Sequence, residues 1–81
     1  MKAKIYINYK DGILDPEGTT ISKALDSMGI SSIKNLLVGK CIEVDLACNN
    51  QDEAATLINE ACSKLLVNPN TETYHYEIME D

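Results

Sequence analysis

The spacing of apolar residues switches between the period of a strand and the period of a helix, and this order constrains the fold most. Polarity alternates over residues 2–10 and 71–79, which is typical of half-buried strands. Apolar residues recur at helical spacing over 16–28 and 54–65. Two β-prone runs lie between them, within residues 33–46. The predicted order of elements is therefore β-α-β-β-α-β.

Local signals mark the ends of the two helices. Asp15 is a typical N-cap, and it precedes Pro16, whose missing N–H costs nothing at the first helical position. Gly29 follows the first apolar stripe, as expected for a left-handed C-terminal cap. Asn50 and Glu53 have the spacing of a capping box at the start of the second helix.

A hairpin is expected around Gly39 and Lys40, because glycine at the first central position suits a type II′ turn. Counting outward from this turn places on the core face Ile33, Leu37, Ile42, Val44 and Leu46. The opposite face is expected to carry the candidate self-association residues Tyr6, Leu36, Val38 and Cys41. Contiguous apolar surface often marks an association site, so we expect a homo-oligomer, packed through this face or an edge strand.

These elements predict one α+β domain over residues 1–81. Its sheet should be mostly antiparallel, with both helices on one face of a two-layer sandwich. The arrangement resembles the ferredoxin-like fold.

The charge balance excludes nucleic acid as a partner. Thirteen acidic residues face seven basic ones, for a net charge of −6, and every basic residue is lysine. An acidic chain without arginine repels phosphate and lacks the planar fork that pairs with phosphate or guanine. We expect no membrane span and no signal peptide, and three widely spaced cysteines indicate reduced thiols. These features predict a cytoplasmic protein.

The chain offers few groups for catalysis. His75 is the only histidine, so every triad would have to include it. Cys41, Cys48 and Cys62 do not have the spacing of a metal site. The four glycines form neither a P-loop nor a dinucleotide fingerprint. We therefore expect no catalytic, cofactor-binding or metal site.

The order of short motifs resembles the PurS family along nearly the whole chain. The motifs are LDPEG at residues 14–18, VGK at 38–40 and CSKLLVNP at 62–69, followed by Tyr74 and Tyr76. PurS is the small subunit of phosphoribosylformylglycinamidine synthase in its multi-subunit form, which acts in de novo purine biosynthesis. The resemblance implies a non-catalytic subunit of an ATP-dependent ligase complex. It would bridge a glutaminase (PurQ-like) and a synthetase (PurL-like) subunit and support ammonia transfer between them.

The resemblance and the expected exposure together suggest a partner interface. Its candidate residues are Asp15, Pro16, Val38, Gly39, Lys40, Tyr74 and Tyr76. The chain itself is expected to form a homodimer or a dimer of dimers. The alternative is a free-standing βαββαβ regulatory domain that binds a metabolite, which predicts ligand-dependent thermal stabilisation of the isolated protein.

Overall fold

A computed structural model describes residues 1–33 and 35–80 of the chain. Its elements are β1 (Lys2–Tyr9), α1 (Pro16–Ser27), β2 (Lys40–Asp45), α2 (Gln51–Ala61), a π-helical turn (Cys62–Leu66) and β3 (Glu72–Met79). The strands form one sheet in the order β2-β1-β3, and both pairings are antiparallel. The predicted α+β class is therefore confirmed. Lys34, which falls in one of the two β-prone runs, and Asp81 lie outside the described residues.

The central strand β1 supplies the core because its alternating residues point to the same side. Ala3, Ile5 and Ile7 are almost fully buried, and they pack with Ile58, Cys62 and Val67 from the α2 side. Burial of each isoleucine contributes about 1.5–3 kcal/mol. We call this helix-covered side of the sheet the inner face, and the other side the outer face.

Different interactions define the two ends of the second helix, a side-chain cap at its start and a wider backbone turn at its end. The Asn50 side chain accepts a hydrogen bond from the Glu53 amide at 2.8 Å, which confirms the predicted cap. At the other end the Val67 amide bonds the Cys62 carbonyl five residues back, at 3.1 Å. This wider turn brings Val67 into the core and leaves Leu65 84% exposed. The helical spacing of apolar residues over 54–65 predicts that Leu65 is buried, and this prediction is wrong.

The predicted hairpin at Gly39 is also wrong. Among the described residues from 28 to 39 none lies in a strand, and Gly39 does not have the positive φ of a type II′ turn. The strand β2 starts at Lys40 and pairs directly with β1, where Ile7 faces Lys40. A Cβ on Gly39 would lie 2.8 Å from the Ile7 carbonyl, so the chain crosses close to β1 at this point.

The physical reason is that β1 offers β2 both backbone partners and a buried apolar face, whereas an isolated hairpin is marginal in water. Within β2 and just after it, Ile42, Val44 and Leu46 pack against the core as predicted. Ile33 and Leu37 do not, since they are 44% and 77% exposed.

The two helices differ in how they pack. α2 contributes Ala54 and Ile58 to the buried set, while the only buried residue of α1 is Gly18. No described side chain of α1 belongs to the core cluster. The face of the sheet is thus covered by α2, and α1 extends from one end of the sheet.

Candidate functional site

Several predicted site residues meet at the end of the sheet where β1 finishes and α1 begins. A cleft of about 250 Å³ is lined there by Ile7, Tyr9, Glu17, Val38, Gly39, Lys40 and Glu72. A smaller cleft of about 130 Å³ adjoins it, and its lining includes Tyr9, Asp15 and Val38. We call this region the α1 end. The structure therefore brings Asp15, Val38, Gly39 and Lys40 together.

Asp15 organises the α1 end through both carboxylate oxygens. Its Oδ1 accepts a hydrogen bond from the Gly18 amide at 2.9 Å, which confirms the predicted N-cap. Its Oδ2 accepts a bond from the Val38 amide at 2.8 Å, across 23 positions of the sequence. These two bonds, first that of Val38 and then that of Gly18, hold the pKa of Asp15 below its usual value. Asp15 is therefore a structural clamp between α1 and the segment that leads into β2.

Gly18 is required by this clamp. A Cβ at this position would lie 2.5 Å from Asp15 Oδ2 and 2.8 Å from the Leu36 carbonyl oxygen. Helix propensity alone makes Gly18 a weak position in α1, because glycine costs about 1 kcal/mol relative to alanine. The close approach of the Asp15 carboxylate and of the Leu36 carbonyl explains why glycine occupies it.

Lys40 lies at the start of β2 and not at the tip of a hairpin. Its Nζ is 3.5 Å from Glu72 Oε2, so it bridges the two edge strands across β1. The other oxygen of Glu72 accepts a bond from the Asn68 amide at 2.8 Å. The Lys40 side chain is still 61% exposed, which leaves it accessible from solvent. No sequence spacing indicates Glu72 as its partner, because the pairing depends on the strand order.

Tyr74 and Tyr76 lie elsewhere, on the inner face of β3. Their rings are stacked with centroids 6.5 Å apart. The Tyr74 hydroxyl donates to Asn59 Oδ1 at 2.5 Å, and Asn59 Nδ2 donates to the Tyr76 hydroxyl at 3.3 Å. Burial raises the pKa of Tyr74. Both tyrosines thus attach β3 to α2, and the α1 end does not include them. Asn59 cannot be identified from the sequence as the partner of these tyrosines, because nothing in the sequence around a polar helix residue indicates which side chain it bonds.

The outer face carries only part of the predicted self-association set. Tyr6 faces Cys41 across the β1–β2 pair, and it stacks on His75 of β3 with ring centroids 4.8 Å apart. Partial burial, followed by the nearby Glu77 carboxylate, raises the pKa of Tyr6. Leu36 and Val38 precede β2 and lie outside the sheet, so their predicted placement on this face is wrong.

Charged residues surround Tyr6 on the outer face. Lys4 forms an ion pair with Glu43 at 3.7 Å, and the Tyr6 hydroxyl donates to Glu77 at 3.4 Å. The face is therefore more polar than the hairpin register suggests.

Within residues 1–33 and 35–80, no three His, Cys, Asp or Glu side chains are grouped so that they could hold a metal ion. None of the described helices has the length and apolar character to cross a membrane.

Comparison with known proteins gives a consistent result. The family model for PurS, described as phosphoribosylformylglycinamidine (FGAM) synthase, matches residues 2–80. The PurS subunit of this synthase from Bacillus subtilis is 35% identical over 79 residues, covering 98% of this chain and 93% of the relative. The PurS subunit from Methanocaldococcus jannaschii is 34% identical over 77 residues, covering 95% and 93%.

Solved structures show the same similarity. The structure of Bacillus subtilis PurS superposes with a TM-score of 0.86 at 35% identity and covers 98% of each chain. A chain in the structure of PurLQS from Thermotoga maritima gives a TM-score of 0.86 at 33% identity. That match covers 94% of this chain and 93% of the other.

Proposed function

The chain belongs to the PurS family, and we propose that it is the small subunit of phosphoribosylformylglycinamidine synthase in purine biosynthesis. In this role it joins a PurL-like synthetase subunit and a PurQ-like glutaminase subunit. The observation that carries the proposal is the similarity, over nearly all of both chains, to a chain of PurLQS. We also propose that the subunit works in the cytoplasm as a homodimer or a dimer of dimers.

The α1 end supports a docking role. Both carboxylate oxygens of the buried Asp15 accept hydrogen bonds from backbone amides. This side chain therefore has a structural role and is not free to act on a substrate. Around it the surface is exposed and mixed in character, with Leu14 73% exposed and the Lys40 ammonium accessible. We place the interface with the partner subunits here, at Pro16, Val38 and Lys40.

The rigid clamp suits the chemistry of the complex. Ammonia released from glutamine is protonated in water and then no longer reacts as a nucleophile. A path between two active sites must therefore exclude solvent. A small subunit with a fixed backbone can help to close such a path without contributing a catalytic group.

Assembly of the three subunits tests the proposed interface. Lys40→Glu reverses the charge at the α1 end, whereas Lys23→Glu makes the same change on an exposed position of α1. We expect Lys40→Glu to weaken co-sedimentation with the synthetase and glutaminase subunits, and Lys23→Glu to leave it unchanged. Circular dichroism verifies that both variants are folded. Equal co-sedimentation of the two variants would place the interface elsewhere.

A further inference from the structure

The motif CSKLLVNP, residues 62–69, forms a cleft that the proposed function does not use. Its π-helical turn directs Leu65 to solvent and Val67 into the core. Between this turn and the start of β3 lies a cleft of about 370 Å³, a volume within the range of about 300–1,000 Å³ that small-molecule sites have. Turns of this type are frequent at functional sites. We call this cleft the π-turn cleft.

The floor of the π-turn cleft is apolar and uncharged. Cys62 is fully buried, Val67 is 8% exposed and Tyr74 is half-buried, and all three line the cleft. Burial raises the pKa of both the Cys62 thiol and the Tyr74 hydroxyl, so both groups are neutral at pH 7. The Tyr74 hydroxyl is already bonded to Asn59, so the ring is the part of Tyr74 that an occupant can contact. Such a floor suits a ligand with a ring of its own.

The rim of the π-turn cleft supplies hydrogen-bond donors. Lys10 and Thr73 both line the cleft and are exposed. The backbone of Lys10 is fixed there, because its amide donates to the Thr71 carbonyl at 2.8 Å. Within residues 1–33 and 35–80, the Lys10 ammonium forms no ion pair and the Thr73 hydroxyl forms no hydrogen bond. Both side chains can therefore donate to a ligand.

Glu72 also lines the π-turn cleft, but its charge is balanced by its own partners. Its Oε2 is 3.5 Å from Lys40 Nζ, and its Oε1 accepts a hydrogen bond from the Asn68 amide at 2.8 Å. The Glu72 side chain is only 15% exposed. Among the described charged residues of the cleft, Lys10 is thus the one without a partner. In a chain of net charge −6, this makes the rim a local site for a negative group.

We propose that the π-turn cleft binds a small organic anion, a molecule with a ring and one carboxylate, sulfonate or phosphate group. The ring packs on Val67 and on the ring of Tyr74, and the anionic group accepts hydrogen bonds from Lys10 and Thr73. A cationic ligand is repelled by Lys10, and a neutral ring leaves both donors without an acceptor. The inference goes beyond the role in the synthase and does not depend on it.

A matched pair of fluorescent probes tests the role of Lys10. Anilinonaphthalene sulfonate has aromatic rings and an anionic group, and phenylnaphthylamine has the same rings without the charge. Fluorescence titration of the full chain gives a dissociation constant for each probe. Lys10→Gln should raise the constant of the sulfonate at least about tenfold, the effect of losing a charge-assisted hydrogen bond, and leave that of the neutral probe unchanged. Lys23→Gln, at an exposed position of α1, should change neither. An equal effect of Lys10→Gln on both probes, or no effect, would overturn the proposal.

Amide NMR spectra of the full chain locate the bound sulfonate. The largest shift changes at saturation should fall within residues 62–74 and at Lys10. Ser63→Trp fills the cleft from an exposed position of the π-helical turn and should abolish these changes, whereas Ser27→Trp at the end of α1 should keep them. Circular dichroism verifies that both variants are folded. Shift changes centred on α1 in the wild type, or full affinity in a folded Ser63→Trp variant, would contradict the assignment of the site.

Discussion

Replacement of Gly18 by alanine separates helix propensity from the Asp15 clamp, because the two effects have opposite signs. Propensity favours alanine over glycine in a helix by about 1 kcal/mol. Against this, a Cβ would lie 2.5 Å from Asp15 Oδ2 and 2.8 Å from the Leu36 carbonyl oxygen. Overpacking of this kind costs about 1–3 kcal/mol. The atoms involved are a backbone oxygen and a carboxylate fixed by two amides, so neither can move cheaply.

We therefore expect Gly18→Ala to lower the free energy of unfolding by about 1 kcal/mol and the melting temperature by about 4–8 °C. Thermal unfolding followed by circular dichroism measures this, at one fixed protein concentration because self-association shifts the midpoint. Thr20→Ala is the matched control, since this exposed residue donates its hydroxyl to the Pro16 carbonyl of the same helix. The change should raise the free energy of unfolding by a few tenths of a kcal/mol. If Gly18→Ala melts above the wild type, the close approach at Gly18 does not exist.

Two further predictions concern the clamp and the core. Because bonds from Val38 and Gly18 lower the pKa of Asp15 in the folded state, their contribution is present above about pH 4 and is lost as the pH falls through the lowered pKa. Urea titrations of Asp15→Asn should accordingly show a weaker loss of stability on acidification than wild type, and an unchanged slope would contradict the clamp. Ile58→Ala should cost about 2–5 kcal/mol, whereas Leu65→Ala, at an exposed position, should change stability by less than about 0.5 kcal/mol. If the two variants lose equal free energy of unfolding in denaturant titrations, Leu65 is not exposed by the π-helical turn.

The sequence predicts those features that depend on neighbouring residues. The alternation of Ala3, Ile5 and Ile7 identifies β1, and the caps at Asp15 and Asn50 have the spacing that their bonds require. Each of these signals lies within a few residues of the structure that it forms. Local physics is therefore sufficient for them.

The prediction of a hairpin is wrong because the local sequence around Gly39 carries no information about the competing partner strand, β1. The sequence of the two β-prone runs around Gly39 is compatible with a hairpin between them. It is equally compatible with the pairing of one run with β1. The choice depends on the buried apolar face that β1 offers, which only the assembled sheet shows. The same holds for the bond between Asp15 and Val38 and for the pair of Lys40 with Glu72, since both join distant positions.

The end of the second helix escapes prediction for a different reason. Helical spacing selects Leu65 for the core, but Leu66 and Val67 are apolar as well and either can be buried in its place. The π-helical turn decides it, and buries Val67 in place of Leu65. Competition among equivalent apolar residues is settled by backbone geometry and not by composition.

The most direct test of the proposed function is the rate of phosphoribosylformylglycinamidine formation by the synthetase and glutaminase subunits, with and without this chain. It should be measured once with glutamine and once with ammonia as the nitrogen source. We predict that omitting the chain reduces the glutamine-dependent rate much more than the ammonia-dependent rate. An unchanged glutamine-dependent rate without the chain would contradict its assignment as the small subunit.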